Sequence, residues 1–163
     1  MTQQLRILGL DIGERTIGIA SSTAGGASPS THPTLRRASL KADLDSLTRL
    51  SAELQPEVVL VGYPLTPQGE VGDSARRAGK VARKLAGRLG VPVLGVDERY
   101  STREAEEILR SPQRRKKRGG PDNHALAAVL ILQRWHREGD AVVLARWPLP
   151  EGEEDGEEAG TED

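Results

Sequence analysis

The segment LRILGLDIGERTIGIA, residues 5–20, predicts how the fold begins. Residues 5–10 have the apolar character of a strand that ends on Asp11, and residues 16–22 predict a second strand. The short stretch between them, residues 12–15, has the length of a hairpin turn. We therefore expect two antiparallel strands, with a carboxylate where the first of them ends.

Segments further along the chain alternate between helical and strand patterns. Residues 23–34 are rich in Ser, Thr, Gly and Pro, which predicts a loop and then a short edge strand around Leu35. Leucines at helical spacing predict a helix over residues 40–54 that Pro56 closes. The all-apolar run over residues 58–62 is typical of a buried parallel strand. This order of elements indicates a βαβ unit.

The second half of the chain continues the same alternation. The basic amphipathic helix over 74–89, with Asp73 as its cap, is followed by a buried strand over 91–96 and a helix from Ser101 to about Leu109. An exposed basic loop over 110–120 then leads to an apolar helix over 124–135 and to a short strand or extended segment over 141–147. Antiparallel strands followed by βαβ units predict an α/β domain, in which helices flank both faces of a mixed five-stranded sheet.

Composition narrows the class of protein. The chain has 163 residues, the size of one domain with a sizeable core. It contains no cysteine, which excludes disulfides, zinc–thiolate sites and a cysteine nucleophile. With only two Trp, two Tyr and no Phe, an aromatic platform for stacking bases is not expected. Neither a membrane-spanning run nor a secretory signal is visible, so we expect a cytoplasmic protein without a membrane partner.

Charge is unevenly distributed along the chain. Residues 151–163 carry eight acids and no base, which leaves 16 acids against 23 basic residues, a formal charge of +7, in residues 1–150. A basic domain over residues 1–147 therefore precedes an acidic, compositionally disordered tail over residues 148–163. The basic domain favours a polyanionic partner. Two roles are open for the acidic tail: it keeps the protein soluble, or it folds back onto the basic surface as a mimic of nucleic acid. We favour the first, because most runs of like charge are solvated.

Acidic residues fall where an active site is expected. Asp11 follows the first strand and Glu98 follows the last buried strand, whereas Asp122 and His124 lie at the start of the apolar helix. Sites gather at the carboxyl ends of parallel strands, and converging acids need a cation such as Mg²⁺ or Mn²⁺. Such ions can activate water for attack on a phosphodiester. Each acid also has an ordinary structural use: Asp11 in a turn, Glu98 in an ion pair and Asp122 as a helix cap.

Four segments are highly specific when taken together in their order and spacing. They are residues 8–13 with 17–20, residues 59–65 with Gly69, residues 96–102 with Ala105 and Glu106, and residues 127–133. On these segments the chain resembles the RuvX/YqgF family of pre-16S rRNA nucleases over roughly residues 5–137. The resemblance implies an RNase H-like fold of the Holliday-junction-resolvase type.

The resemblance implies a metal-dependent nuclease that processes the 5′ end of precursor 16S rRNA in the cytoplasm. In such a protein Asp11 and Glu98 would bind the metal, and a third acid would come from the start of the last helix. This chain departs from the family there, because His124 stands where the last Asp is usual and Asp122 lies two residues earlier. We assign catalytic and metal-binding roles to all four residues and leave open which of Asp122 and His124 is the last ligand. Because imidazole is a softer ligand than carboxylate, we expect Mn²⁺ to be favoured over Mg²⁺.

A second departure lies in the turn after Asp11, where the family has two basic residues and this chain has Arg15 followed by Thr16. Other basic residues would then help to hold the nucleic-acid backbone. We assign nucleic-acid contacts to Arg15, to Arg99 and Thr102 in the third segment, to Arg76, Arg77, Lys80, Arg83 and Lys84 on the basic helix, and to Arg114, Arg115, Lys116, Lys117 and Arg118 in the exposed loop.

Several functions compete on the sequence alone. The first is a nuclease acting on precursor rRNA, or on branched or single-stranded DNA in DNA repair, where symmetric cleavage of a junction would need a homodimer. A non-catalytic nucleic-acid-binding module of the same fold is the second, and the departure at His124 keeps it open. A sugar kinase or chaperone-type ATPase would need a second domain, for which 163 residues leave no room, and a GxxxxGK[ST] loop is absent.

Overall fold

The computed structural model describes residues 5–23, 29–98 and 123–148. Its elements in chain order are strands β1 (Arg6–Ile12), β2 (Thr16–Thr23) and β3 (Ser30–Arg36), helix α1 (Leu40–Leu54), strand β4 (Val58–Tyr63), helix α2 (Asp73–Leu89), strand β5 (Val93–Asp97), helix α3 (Asn123–Glu138), a short 3-10 helix (Gly139–Val142) and strand β6 (Val143–Trp147). The predicted helix over 101–109, the basic loop over 110–120 and the acidic tail beyond Pro148 lie outside the described residues.

The strands form one mixed sheet in the order β3-β2-β1-β4-β5-β6. β1, β4 and β5 are parallel, whereas β2, β3 and β6 run antiparallel to their neighbours. The predicted α/β class, the mixed sheet and the opening hairpin are confirmed. The sheet has six strands rather than five, because residues 143–147 form a short strand, one of the two alternatives for this segment, and pair with β5 through Val93 and Trp147.

Both borders of the sheet are irregular. β3 contains Pro33, and its pairing with β2 shifts register between Ile17 and Ile19. At the other border β6 is five residues long, and its pairing with β5 shifts register between Gly95 and Val96. Proline and register shifts interrupt the regular backbone hydrogen bonding of an outer strand.

Helices cover both faces of the sheet. The alternation of side chains along β1 turns Leu8, Leu10 and Ile12 towards α1 and α2, where they join one apolar cluster. The same alternation turns Ile7 and Asp11 to the opposite face, where α3 packs over a second cluster. None of the helices in the described part of the chain combines the length and the apolar character needed to cross a membrane.

The two helices on the first face begin differently. Ser39 caps α1, because its hydroxyl accepts a hydrogen bond from the Ala42 N–H at 3.1 Å. The predicted cap of α2 at Asp73 is wrong, since the capping position is Gly72, which has no side chain to accept a bond. Asp73 is already the first helical residue, and its carboxylate pairs with Arg76 at 2.7 Å.

Asp43 ties the start of α1 to the turn between β1 and β2. Its carboxylate is buried and accepts hydrogen bonds from the Ala38 N–H at 2.9 Å and from Arg37 Nε at 3.1 Å. Arg37 also donates to the carbonyl oxygen of Gly13 in the turn, at 3.1 Å. The turn that follows Asp11 is therefore fixed to the helix layer by one buried ion pair.

Replacing this carboxylate with Asp43→Ala is expected to lower the free energy of unfolding by about 3 kcal/mol, because it leaves the largely buried Arg37 guanidinium without a partner. Asp45→Ala is the control on the exposed side of the same helix, where the carboxylate pairs with Arg88 at 2.6 Å. The control should cost much less, since exposed ion pairs contribute little. Urea unfolding measures both variants, and equal losses would contradict the assigned role of Asp43.

Candidate active site

Asp11 and Glu98 stand at the same edge of the sheet. Asp11 is the last residue but one of β1, and Glu98 directly follows β5. Both strands run parallel to β4, which lies between them, so their carboxyl ends meet at one edge. The carboxyl of Glu98 donates a hydrogen bond to the carboxylate of Asp11. The structure thus brings these two predicted site residues into contact.

Burial raises the pKa of both carboxyls. For Asp11 the rise caused by burial is opposed by the nearby imidazole of His124 and by the hydrogen bond from Glu98. For Glu98 burial acts together with the negative charges of Asp11 and Asp97, and the pKa rises to about 9. At neutral pH the Glu98 carboxyl therefore carries a proton.

Glu98→Gln is expected to raise the free energy of unfolding at pH 8, in the presence of EDTA, by roughly 1–3 kcal/mol. Between the ordinary glutamate pKa of 4.5 and the folded value of about 9, the folded state binds a proton that the unfolded chain has lost. Wild-type stability therefore falls as the pH rises through this window. Glutamine keeps a donor towards Asp11 and does not titrate. Urea unfolding at pH 4 and pH 8 measures the effect, and the same gap at both pH values would contradict it.

His124 reaches the site because α3 begins directly over β2. A Cβ atom on Gly18 would overlap the backbone carbonyl of His124, so glycine is what lets the helix start this close to the strand. Gly18 is paired with Asp11 across the β1–β2 ladder. The first turn of α3 consequently lies near the Asp11 carboxylate, and the imidazole of His124 lowers the pKa of that group against the effect of burial.

Gly62 provides the space that Glu98 occupies. A Cβ atom on Gly62 would overlap Oε2 of Glu98 and would lie 2.8 Å from Cδ1 of Ile131 on α3. Gly62 is aligned with Val96 of β5, two residues before Glu98, so the carboxyl group folds back over β4. The sequence motif contained Gly62 without revealing this contact. The available signal was a glycine that interrupts an otherwise apolar, β-branched strand.

Arg134 on α3 holds the end of β5. Its largely buried guanidinium donates a hydrogen bond to the carbonyl oxygen of Asp97 at 2.9 Å and pairs with Glu138 at 3.0 Å. A charge-assisted bond of this kind fixes the peptide that leads into Glu98. Sequence reasoning missed Arg134, although a basic residue within the most apolar helix was a usable signal.

The donor set suits a hard divalent cation. Asp11 and Glu98 offer carboxylate oxygens, which Mg²⁺ and Mn²⁺ favour, and the two groups lie in contact with one another. His124 adds an imidazole close to Asp11. Within residues 5–23, 29–98 and 123–148, no group of three or more acidic or histidine side chains has the geometry to hold a metal ion. Asp122, the other candidate ligand, lies outside those ranges.

The predicted nucleic-acid contacts separate into three sets. Four of them line one cavity of about 760 Å³ beside the β1–β2 turn: Arg15, Arg76, Arg77 and Lys80. Arg83 and Lys84 lie farther along α2, are half-buried and do not line this cavity. Arg99, Thr102 and the basic run over 114–118 lie outside the described residues.

The mixed sheet, with acidic residues at the ends of β1 and β5, defines a resolvase-like domain of the RNase H type. Solved structures of Thermus thermophilus RuvC have this fold. One aligns with 86% of this chain and 100% of its own length, at a TM-score of 0.58 and 18% identity. Another, solved in complex with a Holliday junction substrate, gives a TM-score of 0.56 at 17% identity. At these identities the likeness shows the fold.

The chain belongs to the RuvX family. The model of this family, described as a Holliday junction resolvase, matches residues 5–138. Among relatives named as pre-16S rRNA nucleases, the protein of Acaryochloris marina is 36% identical over 135 residues, which covers 82% of this chain and 92% of that protein. The protein of Syntrophomonas wolfei is 40% identical over 129 residues, with coverages of 79% and 92%. The family resemblance inferred from the sequence motifs is confirmed.

Proposed function

We propose that this protein is a divalent-metal-dependent nuclease that hydrolyses phosphodiester bonds in the 5′-end processing of precursor 16S rRNA. The observation that carries the proposal is the contact between the half-buried carboxyl groups of Asp11 and Glu98 at the edge of the sheet. Membership of the RuvX family and the names of its relatives support the same activity. The basic cavity beside the β1–β2 turn supports a polyanionic substrate.

The chain's contribution to this chemistry is the placement of ligands. Asp11 and Glu98 would hold the cation, with His124 or Asp122 as a further ligand. When bound, the cation supplies activation of the attacking water and stabilisation of the leaving oxygen. The proton that Glu98 carries competes with the cation for the carboxylate oxygens, so cation affinity should fall as the pH is lowered.

We expect the wild type to cleave faster with Mn²⁺ than with Mg²⁺, because an imidazole nitrogen favours the softer ion. His124→Ala removes this nitrogen and is expected to reduce the ratio of the Mn²⁺ rate to the Mg²⁺ rate by roughly tenfold. Initial rates at matched metal concentrations measure the preference. His136→Ala is the control, since His136 lies on the same helix but contacts Ser22 at 3.0 Å, away from the carboxyl pair. Equal wild-type rates with both ions would contradict a role for His124 as a ligand.

The proposed activity is tested by a cleavage assay on single-stranded RNA, single-stranded DNA and a four-way DNA junction of matched sequence. Each substrate is incubated with Mg²⁺, Mn²⁺ or EDTA. Metal-dependent cleavage of the RNA is the expected result. Binding of all three substrates without cleavage under either metal would overturn the proposal in favour of a non-catalytic nucleic-acid-binding module.

A second candidate function is a Holliday junction or other DNA-repair nuclease, which the description of the family model favours. Preferred cleavage of the four-way junction would select it. Symmetric cleavage would in addition require a homodimer with two active sites, which light scattering measures. A cytoplasmic location belongs to the main proposal, since the proposed substrate is precursor rRNA. The division into a domain over 1–147 and an acidic tail over 148–163 stays a prediction.

A further inference from the structure

A basic cavity opens on the α1–α2 face of the sheet, beside the turn that follows Asp11. It has a volume of about 760 Å³, and its walls come from the β1–β2 turn, the end of β3, the start of α1 and the first turns of α2. The charged side chains that line it are Glu14, Arg15, Arg36, Arg37, Asp43, Asp73, Arg76, Arg77 and Lys80. Six of these are basic and three are acidic, so the lining carries a formal charge of +3.

The ion pairs within the cavity leave part of this positive charge available to a ligand. Arg37 is paired with Asp43 at 3.1 Å, and Arg76 is paired with Asp73 at 2.7 Å. In the part of the chain that the structure describes, the remaining three arginines have no hydrogen bond or ion pair from their side chains: Arg15, Arg36 and Arg77. Three guanidinium groups around one cavity form a site for an anion with several oxygens.

The cavity and the carboxyl pair lie on opposite faces of the sheet. Leu10 and Ile12 of β1 point towards α1 and α2, and Asp11 between them points towards α3. Only the turn over residues 13–15 separates the two sites along the chain. Arg37, which lines the cavity, donates a hydrogen bond to the carbonyl oxygen of Gly13 in this turn, so the cavity lining is joined directly to the segment that follows Asp11.

We propose that the cavity binds a backbone phosphate of the polynucleotide substrate, distinct from the phosphate that is cleaved. The inference rests on the proposed nuclease function. A strand whose scissile phosphate lies at Asp11 and Glu98 passes around the β1–β2 turn to place a second phosphate among Arg15, Arg36 and Arg77.

The test measures binding rather than cleavage. The affinity of the full chain for a fluorescent single-stranded RNA is determined in EDTA by anisotropy, over a series of salt concentrations. The triple variant Arg15→Gln, Arg36→Gln and Arg77→Gln is expected to reduce the slope of log affinity against log salt by about 2, because each phosphate contact on a single strand contributes about 0.7. At low salt its affinity should fall by about tenfold or more.

The matched control removes two arginines that do not line the cavity. Arg49→Gln and Arg137→Gln, at exposed positions on α1 and near the end of α3, should leave the slope unchanged. Circular dichroism checks that each variant is folded. If the triple variant does not fold, the single variant Arg36→Gln, at an exposed position, is measured in its place. Its slope of log affinity against log salt is expected to be smaller than that of the wild type by about 0.7.

Failure of the phosphate site and failure of the nuclease proposal give different results. Equal salt slopes for the wild type and the arginine variant would overturn the phosphate site, even if the wild type cleaves RNA. A wild type that cleaves no substrate with either metal, combined with a reduced slope in the variant, would uphold the phosphate site and overturn the nuclease proposal. A loss of slope of about 0.7 per arginine in the Arg49 and Arg137 control would also overturn the phosphate site, since binding would then follow net charge alone.

Discussion

Asp11→Asn is expected to reduce metal-dependent cleavage at least about a thousandfold, a change in activation free energy of about 4 kcal/mol. The substitution keeps the size of the side chain but removes a charged oxygen donor from the contact with Glu98. A divalent cation is held by carboxylates because their charge compensates its own, and an amide oxygen does so poorly. Initial rates with saturating Mn²⁺ and Mg²⁺, measured on the preferred substrate, give the loss directly.

Asp140→Asn provides the control for Asp11→Asn. It is the same chemical change at an exposed carboxylate that pairs with Arg146 at 3.2 Å, in the short helix before β6. Its rate should match that of the wild type. The active-site assignment would be refuted by an Asp11→Asn variant that is folded, binds RNA and retains more than about a tenth of the wild-type rate.

Gly62→Ala is expected to reduce cleavage by a factor of about a hundred to a thousand, although Gly62 itself carries no functional group. The added methyl group would overlap the carboxyl of Glu98 and press on Ile131, so Glu98 must leave its position beside Asp11. A displacement of about 1 Å in a catalytic group is enough for losses of this order. Overpacking against α3 should also lower the free energy of unfolding by about 1–3 kcal/mol.

Gly87→Ala is the control for Gly62→Ala, because it adds the same methyl group at a position where the structure has room for it. Gly87 lies near the end of α2, and a Cβ atom there would meet no heavy atom within 4 Å. This control should keep full activity and gain up to about 1 kcal/mol in stability, because alanine favours a helix over glycine. Paired measurements of rate and urea unfolding test both variants. A fully active Gly62→Ala protein would show that Glu98 does not need its present position.

Elements with a strong local pattern were predictable from the sequence. The apolar run over 58–62 predicted a buried parallel strand, and the leucines over 40–54 predicted a helix. Parallel strands then placed Asp11 and Glu98 at one sheet edge, because position at a strand end follows from topology. The contact between their carboxyl groups agrees with that expectation, while the roles assigned to them stay proposals.

Features that depend on contacts between distant segments were not predictable. The close approach of the Glu98 carboxyl to Gly62 follows from the register between β4 and β5, which no local pattern shows. The bond from Arg134 to the Asp97 carbonyl joins residues 37 apart. The short segment over 143–147 was ambiguous alone and became a strand only because the edge of β5 was there to pair with it.

The irregular outer strands limit how this domain can associate with a second copy. A long, flat outer strand offers unpaired N–H and C=O groups to which a neighbouring chain can add its own strand. Here Pro33 lacks an N–H in β3, and the register shifts at both borders break up any run of free backbone groups. Continuous β-augmentation between copies is therefore disfavoured at either border. Among the described elements, the side chains on the outer faces of the helices are then the more suitable surface for a homodimer that cuts a junction symmetrically.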